Sequence, residues 1–472
     1  MERLKTIALI LLVALSLVQS YLLAYSMPGL GATVRVEQDY VNTEPLGPAE
    51  DVDSVVFPEE LILHFGNKRH SVLRPESTFY NQIYRMIQGR EFKGFQRRPS
   101  NVLNWQLVRD EHVGIELRFG SGVPVDLLRK TQAMKLDGDL LFLNEVIDRI
   151  WIYKEKGSEE VRTYFFSADG QMVFESVRAD LTVRDVENYV GFGEYQTLYD
   201  ATADGIYVPV KPVQAVQITV PYETYSPELM QRNLFFDPST TRAIEDRNGS
   251  RIYTDGKRGL QVEQDGKWIS YTDPAAPQNS DNQMTDNVYA SVDFINDHGG
   301  WDGKHRFIYP GADAKGQTVI FQQYYDQYPV LQQSTFNYGY MKLVLQQGAV
   351  TEYGRSLITI GQAEDKRELR WLHGGDLLRQ ALANYSRRAD VESLYPALQA
   401  RFTGTEEKKM VFVPVWAVRL EDGTQDMLLE AYPTGFDAGA LAASEEEAEE
   451  AEVPAESGSV DGIAGGLAGG EG

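Results

Sequence analysis

From Ile7 to Tyr25 the chain runs IALILLVALSLVQSYLLAY, 19 residues without a charge. As a helix this stretch is about 28 Å long, against a bilayer hydrocarbon core of about 30 Å. It can just span a membrane, so everything that folds beyond it lies on one side. Arg3 and Lys5 precede it, and the positive-inside rule holds that end in the cytoplasm and sends all that follows Ser26 outside. The competing reading is a cleaved signal peptide, because Ala24-Tyr25-Ser26 resembles a small-x-small cleavage site. Length favours retention, since a signal h-region usually has about 7–15 apolar residues. A buried core helix fits least, given the terminal position and the polar, Pro/Gly-containing stretch that follows. The sequence therefore predicts a single-pass protein of the cell membrane with its bulk extracytoplasmic.

Within the span Ser16, Ser20 and Ala24 recur every fourth residue, with Gln19 beside them. A strip of small side chains lets helices approach closely, and in lipid their association relies on packing and interhelical hydrogen bonds. Gln19 would gain most from a partner helix, because its amide is costly to leave unpaired in hydrocarbon. The same residues also fit an ordinary lipid-facing helix in which Gln19 reaches the outer interface.

At 472 residues the chain is too long for one hydrophobic core, and with 42% apolar and 11% aromatic residues most of it should fold. Ten of the acidic residues behind its net charge of -24 lie between Asp437 and Gly472, where there is no Lys or Arg. The remainder is still clearly acidic, which disfavours nucleic acid and anionic polymers as partners. The absence of Cys removes disulfides, Cys-based zinc sites and thiol nucleophiles.

The expected fold class is α+β: one amino-terminal transmembrane helix followed by a multi-domain ectodomain of antiparallel sheets with helices packed on one face. Residues 1–27 form the cytoplasmic leader and span, and 28–58 a linker. Residues 59–208, 209–316 and 317–436 form three α+β domains, and 437–472 a disordered acidic tail. Apolar periodicity predicts strands over Glu60–His64, Gly114–Phe119, Leu140–Tyr153, Val161–Ser167 and Met172–Val177, with a type I′ hairpin at Asp169-Gly170. Further strands are expected within Arg251–Tyr271, Gln317–Ile360 and Lys409–Leu429. Helices fit Ser77–Gln88, Pro227–Phe235, Met284–Asn296, Gly375–Tyr385 and Asp390–Arg401. Asp-Gly pairs at 137, 169, 204, 255, 265, 302 and 422 argue for antiparallel meanders, since glycine accepts the positive φ a tight turn needs.

No catalytic constellation emerges. The six histidines show no metal-binding spacing, and His64 and His70, six apart around Gly66-Asn67, read as ordinary surface or core histidines. Phe119-Gly120-Ser121-Gly122 lacks the first glycine of a nucleophile elbow and reads as a loop after a strand. Acid pairs such as Glu59-Glu60 and Glu159-Glu160 read as solvated surface charge unless the fold sets two carboxyls about 5–10 Å apart. We therefore expect no enzyme, no cofactor, no metal, no catalytic residue and no small-molecule substrate. An extracytoplasmic cell-wall-processing enzyme and an export or folding factor stand as the alternatives.

The basic leader and single span, Asn233-Leu-Phe-Phe-Asp-Pro-Ser, Arg251-Ile-Tyr-Thr-Asp-Gly-Lys-Arg-Gly-Leu260, Tyr325-Asp-Gln-Tyr-Pro-Val330 and Val413-Pro-Val-Trp416 together resemble the YycH family. These are extracytoplasmic regulators associated with the YycG (WalK) sensor histidine kinase of Gram-positive bacteria. The resemblance covers most of the chain, rests on turns and strand cores, and leaves the acidic tail as a departure. It implies assembly with the kinase and a YycI-like membrane protein, and control of the YycF (WalR) response regulator and of cell-wall metabolism. The contact surface expected in the membrane is then the face of Ser16, Gln19, Ser20 and Ala24, with Arg3 and Lys5 fixing topology.

Overall fold

Apolar residues at odd and even positions of the same strands enter different cores, and this alternation organises the molecule. The computed structural model describes Lys5, Ser16 and residues 45–436, apart from 132–133, 138–144, 246–249, 275–282, 312–316, 334–335, 362–365 and 405–407. The first sheet uses β1 (Glu60–Gly66), β2 (Arg69–Leu73), β3 (Glu91–Pro99), β4 (Val113–Pro124), β5 (Lys135–Asp137), β6 (Val146–Lys154), β7 (Val161–Ser167), β8 (Met172–Ala179), β9 (Leu198–Ala201) and β10 (Tyr207–Pro209). Their order is β10-β9-β2-β1-β4-β6-β7-β8-β3-β5. Adjacent strands are antiparallel except β3 and β5, whose long connection makes a parallel crossover.

Strand β11 (Val213–Thr224) begins a second sheet, which the chain leaves to build a third. The third uses β12 (Arg242–Glu245), β13 (Arg251–Thr254), β14 (Gly259–Glu263), β15 (Trp268–Thr272), β16 (Lys304–Ile308), β17 (Thr318–Tyr325), β18 (Tyr328–Pro329), β19 (Tyr340–Gln346) and β20 (Ala349–Ser356). Its main path is β12-β13-β14-β15-β20-β19-β17-β16. The chain then returns to complete the second sheet with β21 (Ile358–Ile360), β22 (Lys366–Leu372), β23 (Val391–Phe402), β24 (Lys409–Leu420) and β25 (Gln425–Glu430). There β11 pairs with β21, β22 and β24, and β24 with β23 and β25. The boundary expected at 316/317 thus falls between two paired strands, β16 and β17.

Helices form at Thr78–Gln88, Pro227–Leu234, Met284–Asp297 and Gly375–Ala383, close to the expected spans. The sequence predicts helices on one face of the sheets, but in the first sheet they cover both faces. Ile150, Ile152 and Phe165 join the core that holds Tyr80, Ile83 and Ile87 of the helix Thr78–Gln88. Trp151, Tyr153, Tyr164 and Phe166 lie on the other face, where Val108 of the helix Trp105–Glu111 packs against them. Period-2 alternation of large apolar residues on both faces requires cover on both. The first core runs on without a break into the third sheet through Phe321, Leu343 and Tyr353. Ile62 and Val72 instead meet Leu372, Leu378 and Trp416 of the second sheet and its helix. All three sheets are therefore welded by shared cores.

Three further expectations change. Asp390–Arg401 is not a helix: Val391–Phe402 is strand β23, paired along its length with β24. Leu394, Leu398 and Tyr395 enter three different cores, so the run is buried on both faces and its apolar spacing mimics a helical stripe. Pro396, which an interior helix turn tolerates poorly, sits opposite Trp416. The Asp169-Gly170 hairpin is not type I′, because Gly170 has φ +69° whereas Asp169 is not in the left-handed region. Gly170 N–H donates to Ser167 O at 2.9 Å, closing a type I-like turn with glycine last. Finally, Gly120-Ser121-Gly122 is not a loop after β4 but an irregularity inside it, between Arg118 and Val123.

No helix among the described residues is long and apolar enough to cross a membrane. Lys5 and Ser16 are helical and exposed; Arg3, Gln19, Ser20, Ala24 and the acidic tail lie outside the described residues.

Candidate functional site

Glu59 and Arg419, two of the residues that tie the three sheets together, also line a wide cleft. Glu59 stands just before β1, with its N–H donating to Arg118 O at 2.7 Å. Its carboxylate accepts from Arg306 Nη2 at 3.1 Å and from Arg419 Nη2 at 2.5 Å. Arg306 belongs to β16 of the third sheet and Arg419 to β24 of the second, so one carboxylate bridges all three sheets. Both guanidinium side chains are only 3% exposed. Arg306 is held further by Tyr324 Oη at 3.1 Å and Phe119 O at 3.3 Å. Burial alone would raise the Glu59 carboxyl, but Arg419 and Arg306 outweigh it and hold it below the usual range.

The irregularity in β4 makes this approach possible. Gly120 has φ +65°, and a Cβ there would collide with the Glu59 carboxylate and the Arg419 guanidinium and lie 3.2 Å from Arg306. Glycine supplies both the left-handed backbone and the space.

A second buried cluster lies beside the first. His64 and His70 face each other across β1 and β2, with their Nδ1 atoms 3.0 Å apart. His64 Nε2 lies 3.5 Å from Glu116 Oε2, which also accepts from Tyr207 Oη at 3.1 Å. Glu116 Oε1 accepts from Arg118 Nε at 2.9 Å. Arg118 stacks 4.8 Å over Tyr207 and donates to Gly205 O at 3.1 Å. Burial lowers both histidines, His70 to about 3, so the pair is neutral near pH 7 and shares one hydrogen bond. Burial opposes ionisation of Glu116 as well, yet Arg118 and the His64 contact keep it far below the usual carboxylate range.

The cleft between the sheets has a volume of about 1220 Å³ and opens between β4 and β6, the β16–β17 hairpin, and β23 with the β24–β25 turn. Asp148 and Glu392 face it, and burial raises the carboxyls of both. Glu60 behaves likewise, since burial and the neighbouring Glu59 and Glu116 outweigh Arg118 and Arg74. The arrangement can hold polar or charged groups, and among the described residues no three His, Asp or Glu side chains are placed to hold a metal.

The sequence reading of these residues needs correction. Glu59 and Glu60 are each 9% exposed and are not solvated surface charge; Glu159 and Glu160 are exposed, as expected. Arg306, Arg419, Glu116, Asp148 and Glu392 were not singled out by sequence. A lone arginine in the apolar run Met410–Leu420 was the available signal for Arg419. Of the expected membrane-face residues only Ser16 is described, so its relation to Gln19, Ser20 and Ala24 lies outside the described residues.

Comparison with known proteins gives concordant matches. The family description "YycH protein, N-terminal domain" matches residues 2–191, and "YycH protein, C-terminal domain" matches residues 203–431. The "Two-component system WalR/WalK regulatory protein YycH" of Bacillus subtilis (strain 168) is 20% identical over 443 residues, covering 89% of this chain and 94% of that protein. The crystal structure of YycH from Bacillus subtilis superposes with a TM-score of 0.64 at 16% identity, over 82% of this chain and 99% of the other, and so shares the fold.

Proposed function

The chain belongs to the YycH family, and from that premise we propose that it is a membrane-anchored extracytoplasmic regulator of a two-component system. The observation that carries this reading is the match, over nearly its full length, to a protein named as a WalR/WalK regulator. In the proposed mechanism the chain binds a YycG/WalK-like sensor histidine kinase together with a YycI-like protein and modulates signalling that controls cell-wall metabolism. Regulation of this kind requires the complex to favour one kinase state, because equal affinity for both states shifts nothing.

The span Ile7–Tyr25 supplies the tether, oriented by Arg3 and Lys5, and the face of Ser16, Gln19, Ser20 and Ala24 packs against the partner spans. The Glu59 junction makes the ectodomain a stiff body, so a force or ligand acting on one sheet is felt at the others and at the chain leading to the membrane. Replacing Ser16 and Ser20 with Leu tests the membrane face. Reduced co-purification with the kinase and altered kinase output are expected; full co-purification with unchanged output would remove that face from the mechanism. Crosslinking in intact membranes, with the captured partners identified, tests the assembly itself.

A further inference from the structure

Before it enters the first sheet, the chain coming from the membrane side is fastened to the third. Residues 46–50 cross the carboxyl-terminal end of the helix Met284–Asp297, which packs on β17 and β20. Gly299 O accepts from the N–H groups of Leu46 and Gly47 at 2.8 and 3.1 Å, and Trp301 N–H donates to Pro48 O at 2.9 Å. The Asn296 amide pairs with residue 50 at both its ends: Oδ1 accepts from Glu50 N–H at 3.0 Å, and Nδ2 donates to Glu50 O at 2.9 Å. Trp301 Nε1–H holds the same Oδ1 at 2.8 Å. A Cβ on Gly47 would overlap Trp301 O, so the contact closes only on a glycine.

The two halves of this contact are built differently. The seat belongs to the third sheet: Trp301 is fully buried, with its ring centroid 5.1 Å from that of Phe321 in β17, and Gly300 O accepts from Arg355 Nη1 of β20 at 2.7 Å. The segment lying on it has little buried apolar surface. Pro45, Pro48, Ala49 and Asp51 are exposed, and Leu46, Gly47 and Glu50 are half-buried. Immediately beyond, Val52, Val55, Val56 and Phe57 are buried in the first core, and Glu59 follows as the junction carboxylate. A segment held by hydrogen bonds with few buried apolar contacts opens locally, whereas one set in a core opens only with the fold.

From this geometry we infer that residues 45–51 form a latch that opens while the rest of the ectodomain stays folded, and that its closed state couples the third sheet to the membrane span. Closed, it passes a displacement of the third sheet to the chain leading to the span through Gly299, Trp301 and Asn296. Open, it leaves that chain held first at Val52, by the first core. Two discrete arrangements of one element are what a regulatory coupling needs. The coupling rests on the kinase-regulator reading; the latch rests on the contacts alone.

The test is hydrogen exchange, read by mass spectrometry, on the full-length chain in phosphatidylcholine nanodiscs, alone and with the cognate sensor kinase. Gly47→Ala should speed exchange over 45–51 and at Trp301 at least tenfold, while 52–58 and the urea denaturation midpoint stay as in the parent. Ala49→Ser, exposed in the same segment, should change neither. With the kinase present, Gly47→Ala should shift autophosphorylation at least twofold at unchanged co-purification. Exchange over 45–51 that is the same in Gly47→Ala as in the parent would overturn the latch. So would release of 52–58 together with 45–51, which would make the segment part of the core. An opened latch with parental kinase output would overturn the coupling. A parent chain that leaves the kinase as it is without the chain would sink the regulator reading and the coupling with it, and the exchange result would still decide the latch. If Gly47→Ala lowers the denaturation midpoint, Asn296→Asp, which loses only the donor to Glu50 O, decides by a severalfold rise in exchange over 45–51.

Discussion

Replacing Glu59 with Gln keeps the shape of the junction and removes the negative charge that Arg306 and Arg419 share. Arg306 and Arg419 then stay in place, each side chain 3% exposed, as two like charges whose shared counter-ion is gone. Breaking a buried ion pair by removing one partner costs about 3–5 kcal/mol, because the remaining charge is left uncompensated. Here one substitution strands two guanidiniums, so we expect the upper part of that range, about 4–5 kcal/mol. Arg306 keeps its contacts to Tyr324 and Phe119, which prevents a larger loss. The loss also depends on pH. Glu59 is held below its ordinary value of 4.5, so its contribution is complete above that pH and fades as pH falls towards its depressed folded value. The assay is urea denaturation of the full chain followed by tryptophan fluorescence at pH 7 and pH 4. The variant should lose stability at pH 7 and show a shallower acid-side decline than the parent. Adding Arg419→Met to Glu59→Gln should recover part of the loss, since one stranded charge is then replaced by an apolar side chain of similar reach. A loss under about 1 kcal/mol at pH 7, the size expected of an exposed pair, would refute the claim that Glu59 holds the three sheets together.

Gly120→Ala should destabilise by more than the roughly 1–2 kcal/mol that a left-handed backbone alone costs an L-residue, because its Cβ also displaces Glu59 and Arg419. Gly170→Ala, at φ +69° with nothing within 4 Å, should show the backbone cost alone in the same denaturation experiment. The histidine pair predicts acid lability. His70 is pushed down to about 3 by burial, so its neutral form is the one the fold accepts; its contribution is complete above the ordinary value of 6.5 and is lost as pH falls towards 3. By linkage this one group removes about 2 kcal/mol between pH 6.5 and pH 5, and His70→Gln should flatten that slope in denaturation midpoints measured across the interval. Trp301→Ala should cost about 3–5 kcal/mol, since its ring is fully buried and its Nε1–H donates to Asn296 Oδ1 at 2.8 Å.

Where burial follows one periodicity, the sequence predicted the elements to within a few residues. Gly259–Glu263 alternates buried and half-buried residues and is a strand within the expected stretch Arg251–Tyr271, and the helix Pro227–Leu234 starts at a proline in its first turn behind a capping Ser226. Val391–Phe402 misled because both its faces are buried, so its apolar residues fall at a spacing that also fits a helical stripe. The site was less legible than the fold for a different reason. Nothing near Glu59 distinguishes a solvated acid from a buried one, because the charges that make burial tolerable lie 247 and 360 residues further along the chain. Local pattern reports what a residue needs, whereas the partner that meets the need is fixed only when the sheets assemble. The glycine at 120 was visible in the sequence, but its purpose was not, since the atoms its missing Cβ makes room for come from three separate sheets. The cleft follows the same logic. Its wall is complete only when β23 and β24 pair in the register that lays Arg419 over the Tyr395 ring and against Glu59.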